Sequence, residues 1–131
     1  MRHDTLKNYL DGVEQAILQC SHVYVERYVE EILTRERANL RIRLRTENGY
    51  LLEIHEAVVI ADDKLVHLDY RYHCQDEQTR LQFRYDSTPH FPNLSSFPHH
   101  KHLSDGQVIA TDRPSIAEVA KEAIGQGVSE R

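Results

Sequence analysis

The chain has 131 residues, 40% of them hydrophobic and 28% charged, which suits one folded, soluble domain with its own core. Its formal net charge is −5. That argues against a protein that coats nucleic acid through a broad positive field, but it leaves room for a local basic patch.

Helical spacing of Leu6, Leu10, Val13 and Ile17, with Tyr9 and Ala16 beside them, predicts a helix over residues 4–19, capped by Asp4. Residues 22–34 read as a strand, because Val23, Tyr24, Val25, Tyr28 and Val29 are β-branched or aromatic. The Glu-rich second half of that segment would also tolerate a helix. Period-two alternation then begins. Leu40, Ile42 and Leu44 oppose Arg41, Arg43 and Arg45, and Asn48-Gly49 marks a hairpin turn. Leu52, Ile54, Val58 and Ile60 oppose Glu53, His55, Ala57 and Val59, and the next turn falls at 61–64. Val66, Leu68, Tyr70, Tyr72 and Cys74 oppose His67, Asp69, Arg71 and His73. Leu81, Phe83 and Tyr85 oppose Arg80, Gln82, Arg84 and Asp86. Glu56 puts a charge on the apolar parity, as a bulge or a buried acid would.

Residues 87–110 are predicted as a long functional loop, stiffened by Pro89, Pro92 and Pro98. A helix over 114–125 follows, capped by Thr111 or Asp112, and the last residues are expected to fray. The expected fold is α+β, with one domain over 1–131. Its antiparallel meander has five strands within 22–86, and both helices pack on one face.

Cys20 and Cys74 form no CxxC pair, so free thiols in a reducing compartment are expected. The N-terminus lacks the apolar stretch of a signal peptide, and the longest apolar run, Ala57 to Ala61, cannot span a bilayer. A cytoplasmic protein off the membrane is the expectation.

Chemistry is concentrated at His99, His100, Lys101 and His102. Imidazoles exchange protons near neutral pH, and an ammonium can hold phosphate. Arg84 and Asp86 end one strand and His73 its neighbour. Arg84 suits phosphate, and Asp86 can fix an imidazole's tautomer. The candidate catalytic residues are therefore His73, Arg84, Asp86, His99, His100, Lys101 and His102. Arg41, Arg43, Arg71, Arg84 and Lys101 are candidates for holding nucleic acid. The His segment also reads as a solvated basic loop, or as metal ligands drawn from His99, His100 and His102. No recognised metal-ligand spacing is visible, so no cofactor is expected.

Tyr70-Arg71-Tyr72-His73, the run from Leu81 through Phe83-Arg84-Tyr85-Asp86 to Pro89-His90, and Phe97-Pro98-His99-His100-Lys101-His102 together resemble the TumE family of toxins from type II toxin–antitoxin pairs. The pattern departs at Cys74, where Trp is common, at Ser87, where Asn is common, and at Phe91, where a second His is usual. The resemblance implies a toxin neutralised by a helix-turn-helix antitoxin of the TumA type. Analogy with other small toxins points to RNA cleavage, expected here as metal-independent acid–base chemistry. A non-catalytic binding module and a metal-dependent nuclease are the alternatives, and a homodimer stays open.

Overall fold

A computed structural model describes residues 5–127. Asp4 and residues 128–131 lie outside that range, so the predicted first cap and the end of the tail do too. Helix α1 (Thr5–Leu18) leads into strands β1 (Val23–Thr34), β2 (Arg37–Thr46), β3 (Leu51–Ala61), β4 (Lys64–Gln75), β5 (Leu81–Asp86), β6 (His100–Leu103) and β7 (Val108–Ala110). Helix α2 (Ile116–Ile124) closes the order.

The strands pair antiparallel in sequence order, β1 through β7. The meander therefore has seven strands where five are predicted. The two added strands come from the segment read as loop. Its prolines hold residues 87–99 out of the ladder, and beyond Pro98 the backbone donors are free to pair. Val23–Thr34 form a strand, as the β-branched and aromatic content of the segment predicts, and His22 lies just before it. The β2–β3 turn uses Gly49 at a φ of 87°, and the β3–β4 turn sets Asp62 and Asp63 both at positive φ, the conformation of a tight hairpin.

One sheet face and both helices share a single apolar cluster. Leu6, Leu10, Val13 and Ile17 of α1 and Ile116, Val119, Ala120 and Ala123 of α2 join Leu40, Ile42, Leu52, Ile54, Tyr72 and Phe83. Helix α2 is capped by Ser115 instead of Thr111 or Asp112. The Ser115 hydroxyl accepts from the Glu118 amide, and Glu118 returns a bond to the Ser115 amide, which closes a capping box. Cys74 is buried, Cys20 partly so, and both are free.

The predicted alternation of β4 changes halfway along. Ala57 pairs with Asp69 but Val58 with His67, so Leu68 is an extra residue, a β-bulge. Tyr70, Tyr72 and Cys74 keep the core face, while Val66 and Leu68 are exposed and His67 turns inward. His67 is thus no ordinary residue of the open face.

Glu56 is a buried acid, 3% exposed. The Tyr9 hydroxyl of α1 donates to its Oε1 at 2.5 Å, and Tyr72 of β4 donates to Oε2. His67 Nε2 lies 3.2 Å from Oε2 and 3.1 Å from the Tyr9 hydroxyl. Arg113, just before α2, donates to the Tyr72 hydroxyl at 3.0 Å and sits 3.7 Å from the carboxylate. Burial alone would raise the Glu56 pKa. The bonds from His67, Tyr72 and Tyr9 outweigh it and hold the carboxyl below its ordinary value.

Two outcomes follow for stability. Ile54, fully buried in β3, should cost about 2–5 kcal/mol on truncation to Ala, read from denaturant unfolding. A depressed folded-state pKa means that ionised Glu56 adds stability above the ordinary glutamate value. That contribution is lost as pH falls through the lowered folded value. Glu56→Gln should flatten this acid limb in pH-dependent unfolding, and Glu56→Ala should cost about 3 kcal/mol at neutral pH by orphaning its buried partners.

Candidate active site on the open face of the sheet

Opposite the core cluster, antiparallel register aligns polar side chains into two adjacent cross-strand rows. In the first, Arg41 faces His55, His55 faces Arg71, Arg71 faces Asp86 and Asp86 faces His100. In the second, Arg27 faces Arg43, then Glu53, His73, Arg84 and His102 follow in turn. Neighbouring strands lie about 4.8 Å apart, so each row spans roughly 20 Å of sheet. Together the rows carry five arginines against two carboxylates, in a chain whose formal charge is −5.

The arginines differ in how they are engaged. Arg43 donates to Glu53 at 3.1 and 3.3 Å. Among the described residues, Arg27, Arg41 and Arg71 have no ion-pair partner. A concavity of about 400 Å³ opens beside Arg41, His55, Asp69, Arg71 and Thr88. Burial and the Arg71 and Arg41 guanidinium groups keep the His55 pKa low, against an opposing pull from Glu53. His55 and Arg27 carry no role in the sequence reading. Arg27 is hard to place because Glu26 is an extra residue in β1, and the row partners of His55 lie on other strands.

The rows end at a compact group. Asp86 is 5% exposed and His100 is 1% exposed. His100 Nε2 lies 2.8 Å from Asp86 Oδ1, His102 Nε2 lies 3.6 Å from Oδ2, and Arg84 Nε lies 3.4 Å from Oδ2. The Thr88 amide donates to Oδ1 at 3.0 Å. His100 Nδ1 lies 3.0 Å from the Pro98 carbonyl. Phe91, at the position where the family pattern has its second His, sets its ring 4.8 Å from His100 and 5.9 Å from His102.

The two other candidates of this segment point the opposite way. Strand alternation turns Lys101 to the core face, where Nζ donates to Glu122 of α2 at 2.6 Å and sits 4.8 Å over the Tyr85 ring. His99 stacks on Tyr70, and its Nδ1 is 2.9 Å from the Tyr70 hydroxyl. The predicted seven-residue group therefore divides. His73, Arg84, Asp86, His100 and His102 share the open face, while His99 and Lys101 fasten β6 to the core side.

Burial and the neighbouring Arg84 hold both His73 and His102 below the ordinary imidazole value. Gln75 opposes this at His73 and Asp86 opposes it at His102. Both rings are neutral near pH 7 and able to accept a proton. His73 Nε2 lies 3.0 Å from the Gln75 side-chain oxygen. That oxygen can only accept, so Nε2 carries the proton and Nδ1 has the lone pair.

A family model described as Toxin TumE matches residues 13–128. Neither the curated proteins nor the solved structures yield a match. No helix among the described residues is long and apolar enough to cross a membrane. The matched span takes in both polar rows, the His100–Leu103 strand and α2, and on that extent of likeness the chain belongs to the TumE toxin family.

Proposed function

We propose that this toxin is an endoribonuclease that lays RNA across the two polar rows and cuts it where they meet Asp86, His100 and His102. The family supplies the toxin role and implies a cognate antitoxin, which we infer to be of the helix-turn-helix kind. The observation that carries the nuclease reading is the pair of rows: five arginines in register, ending on a buried acid and two imidazoles.

Arg27, Arg41 and Arg71 hold backbone phosphates through charge-assisted bonds. Arg84 donates to the scissile phosphate, with His73 on one side in the same row and His102 on the other. His73 takes the proton from the ribose 2′-hydroxyl. The 2′-oxygen attacks phosphorus and the bond to the 5′-oxygen breaks. The leaving oxygen takes a proton from a water molecule at the Asp86–His100–His102 end, and the proton held by His73 returns to the hydroxide left behind. The products are a 2′,3′-cyclic phosphate and a 5′-hydroxyl. Lys101, bonded to Glu122 behind the sheet, takes no part.

Antitoxin-free protein should cleave RNA, and a single 2′-deoxy sugar at the cut site should block it. Because the His73 pKa is lowered, the rate should reach its plateau before neutrality, with its acid limb below about 6.5. His73→Ala should remove that limb and slow cleavage by about 10²–10⁴-fold. Equal cleavage of DNA, or intact RNA after incubation with folded toxin, would count against the reading.

A further inference from the structure

We propose that Asp86, His100 and His102 form a binding site for one divalent transition-metal ion. The inference rests on the nuclease reading for the ion's role. The site itself rests on geometry.

Three ligand atoms, one from each residue, lie within 4.8 Å of one another. Ligands about 2.1 Å from a shared ion stand ~3.0 Å apart at right angles and ~3.4 Å apart in a tetrahedron. His100 Nε2 lies 2.8 Å from Oδ1 and His102 Nε2 lies 3.6 Å from Oδ2, so each ring nitrogen stands at ligand-to-ligand distance from an oxygen of the one carboxylate.

Direction separates a ligand set from an ion pair. An imidazolium bonded to a carboxylate aims its N–H at the oxygen. His100 Nε2 has no hydrogen bond although Asp86 Oδ1 is 2.8 Å away, so the two atoms are near each other without pointing at each other. Side chains converging on a third point have this relation. The Pro98 carbonyl can only accept, so His100 Nδ1 donates to it, and in the neutral ring this tautomer leaves the lone pair on Nε2. A bond from the other ring nitrogen to a backbone carbonyl is also how metal-bound histidines are held. With His100 1% exposed, that unpartnered nitrogen is shut off from water. Such burial is costly for a polar atom with nothing to bind.

Arg84 competes for the carboxylate, but weakly. Its Nε lies 3.4 Å from Oδ2 and is likewise without a hydrogen bond. Two imidazoles and one carboxylate suit zinc, manganese, iron, cobalt or nickel better than magnesium or calcium, which prefer oxygen donors. Three protein ligands leave positions for water and a phosphate oxygen. An ion there would carry the charge that develops on the leaving 5′-oxygen and hold the water that protonates it. The metal-free chemistry expected from the sequence misses such a site because its ligands are split between β5 and β6, on either side of the proline segment.

Cobalt(II) is a probe that can be seen directly. Titration of antitoxin-free toxin, followed by visible absorbance and calorimetry with zinc as competitor, should give one ion per chain. His102→Ala should weaken binding at least tenfold, and His102→Gln should do the same while filling the space. His99→Ala, on the opposite face of the same segment, should leave it unchanged. Zinc should raise the unfolding midpoint of the native chain and not that of the His102 variants. No stoichiometric binding, or binding indifferent to both His102 variants, would overturn the site. RNA cleavage at full rate in EDTA, with no ion bound, would remove the metal and leave the nuclease reading standing. One bound cobalt with no RNA cleavage would keep the metal site and remove the nuclease reading.

Discussion

Register across the antiparallel ladder decides which face every functional side chain occupies. In a strand the faces alternate with each residue, so one extra residue moves everything beyond it to the other side. The bulge at Leu68 is the consequential case. On its far side Asp69, Arg71 and His73 stay in line with the open-face residues of β3. On its near side His67 turns inward to Glu56. With no bulge, His67 would stand on the open face, Val66 and Leu68 would crowd the core side, and Glu56 would lose its imidazole. A second irregularity at Gln82 lies beyond the paired run from Cys74 to Arg71, so His73–Arg84 and Arg71–Asp86 remain opposite each other.

Charge fastens the helices to the sheet at two places. At one, Glu56 gathers Tyr9 from α1, Tyr72 from β4 and Arg113 from the approach to α2. At the other, Glu122 of α2 accepts from Tyr85 of β5 at 2.6 Å and from Lys101 of β6. Breaking either group leaves buried or half-buried partners unmatched, so these contacts fix position more than they add net stability. The second also fixes which way β6 faces. With Lys101 held against Glu122, His100 and His102 must project to the open side, beside Asp86 and Arg84.

Much of this was legible in the residues. Alternation in β2 and β5 puts the arginines on one side and the apolar residues on the other, as observed. Glu56 stands out as a charge on an apolar parity, and it is a buried acid. What could not be read was tertiary. No local signal marks Leu68 as the extra residue, because Leu suits either face. Strand β6 is only His100–Leu103, too short and too polar for an apolar alternation to show. Its own alternation still separates His100 and His102 from Lys101. The α2 cap was within reach, since Ser115-Ile116-Ala117-Glu118 has the spacing of a capping box, but Pro114 drew the predicted start two residues too early.

For a chain with net charge −5, the placement of charge matters more than its sum. The acids of β1 lie largely outside the two rows, and Glu26 is occupied by Arg45 at 3.0 Å. In the rows themselves, one carboxylate is matched by Arg43 and the other is Asp86, at the far end. A local excess of arginine on one face can attract a polyanion even where the net charge is negative. Along that face arginines recur from Arg27 and Arg41 to Arg71 and Arg84, interrupted by His55 and by the paired Glu53, before the rows reach Asp86, His100 and His102. The arginines can hold a backbone but move no protons at neutral pH, since guanidinium stays charged. Groups that can exchange a proton stand within and at the end of the rows, at His73 and at the buried Asp86 and His100 beside His102 and Phe91.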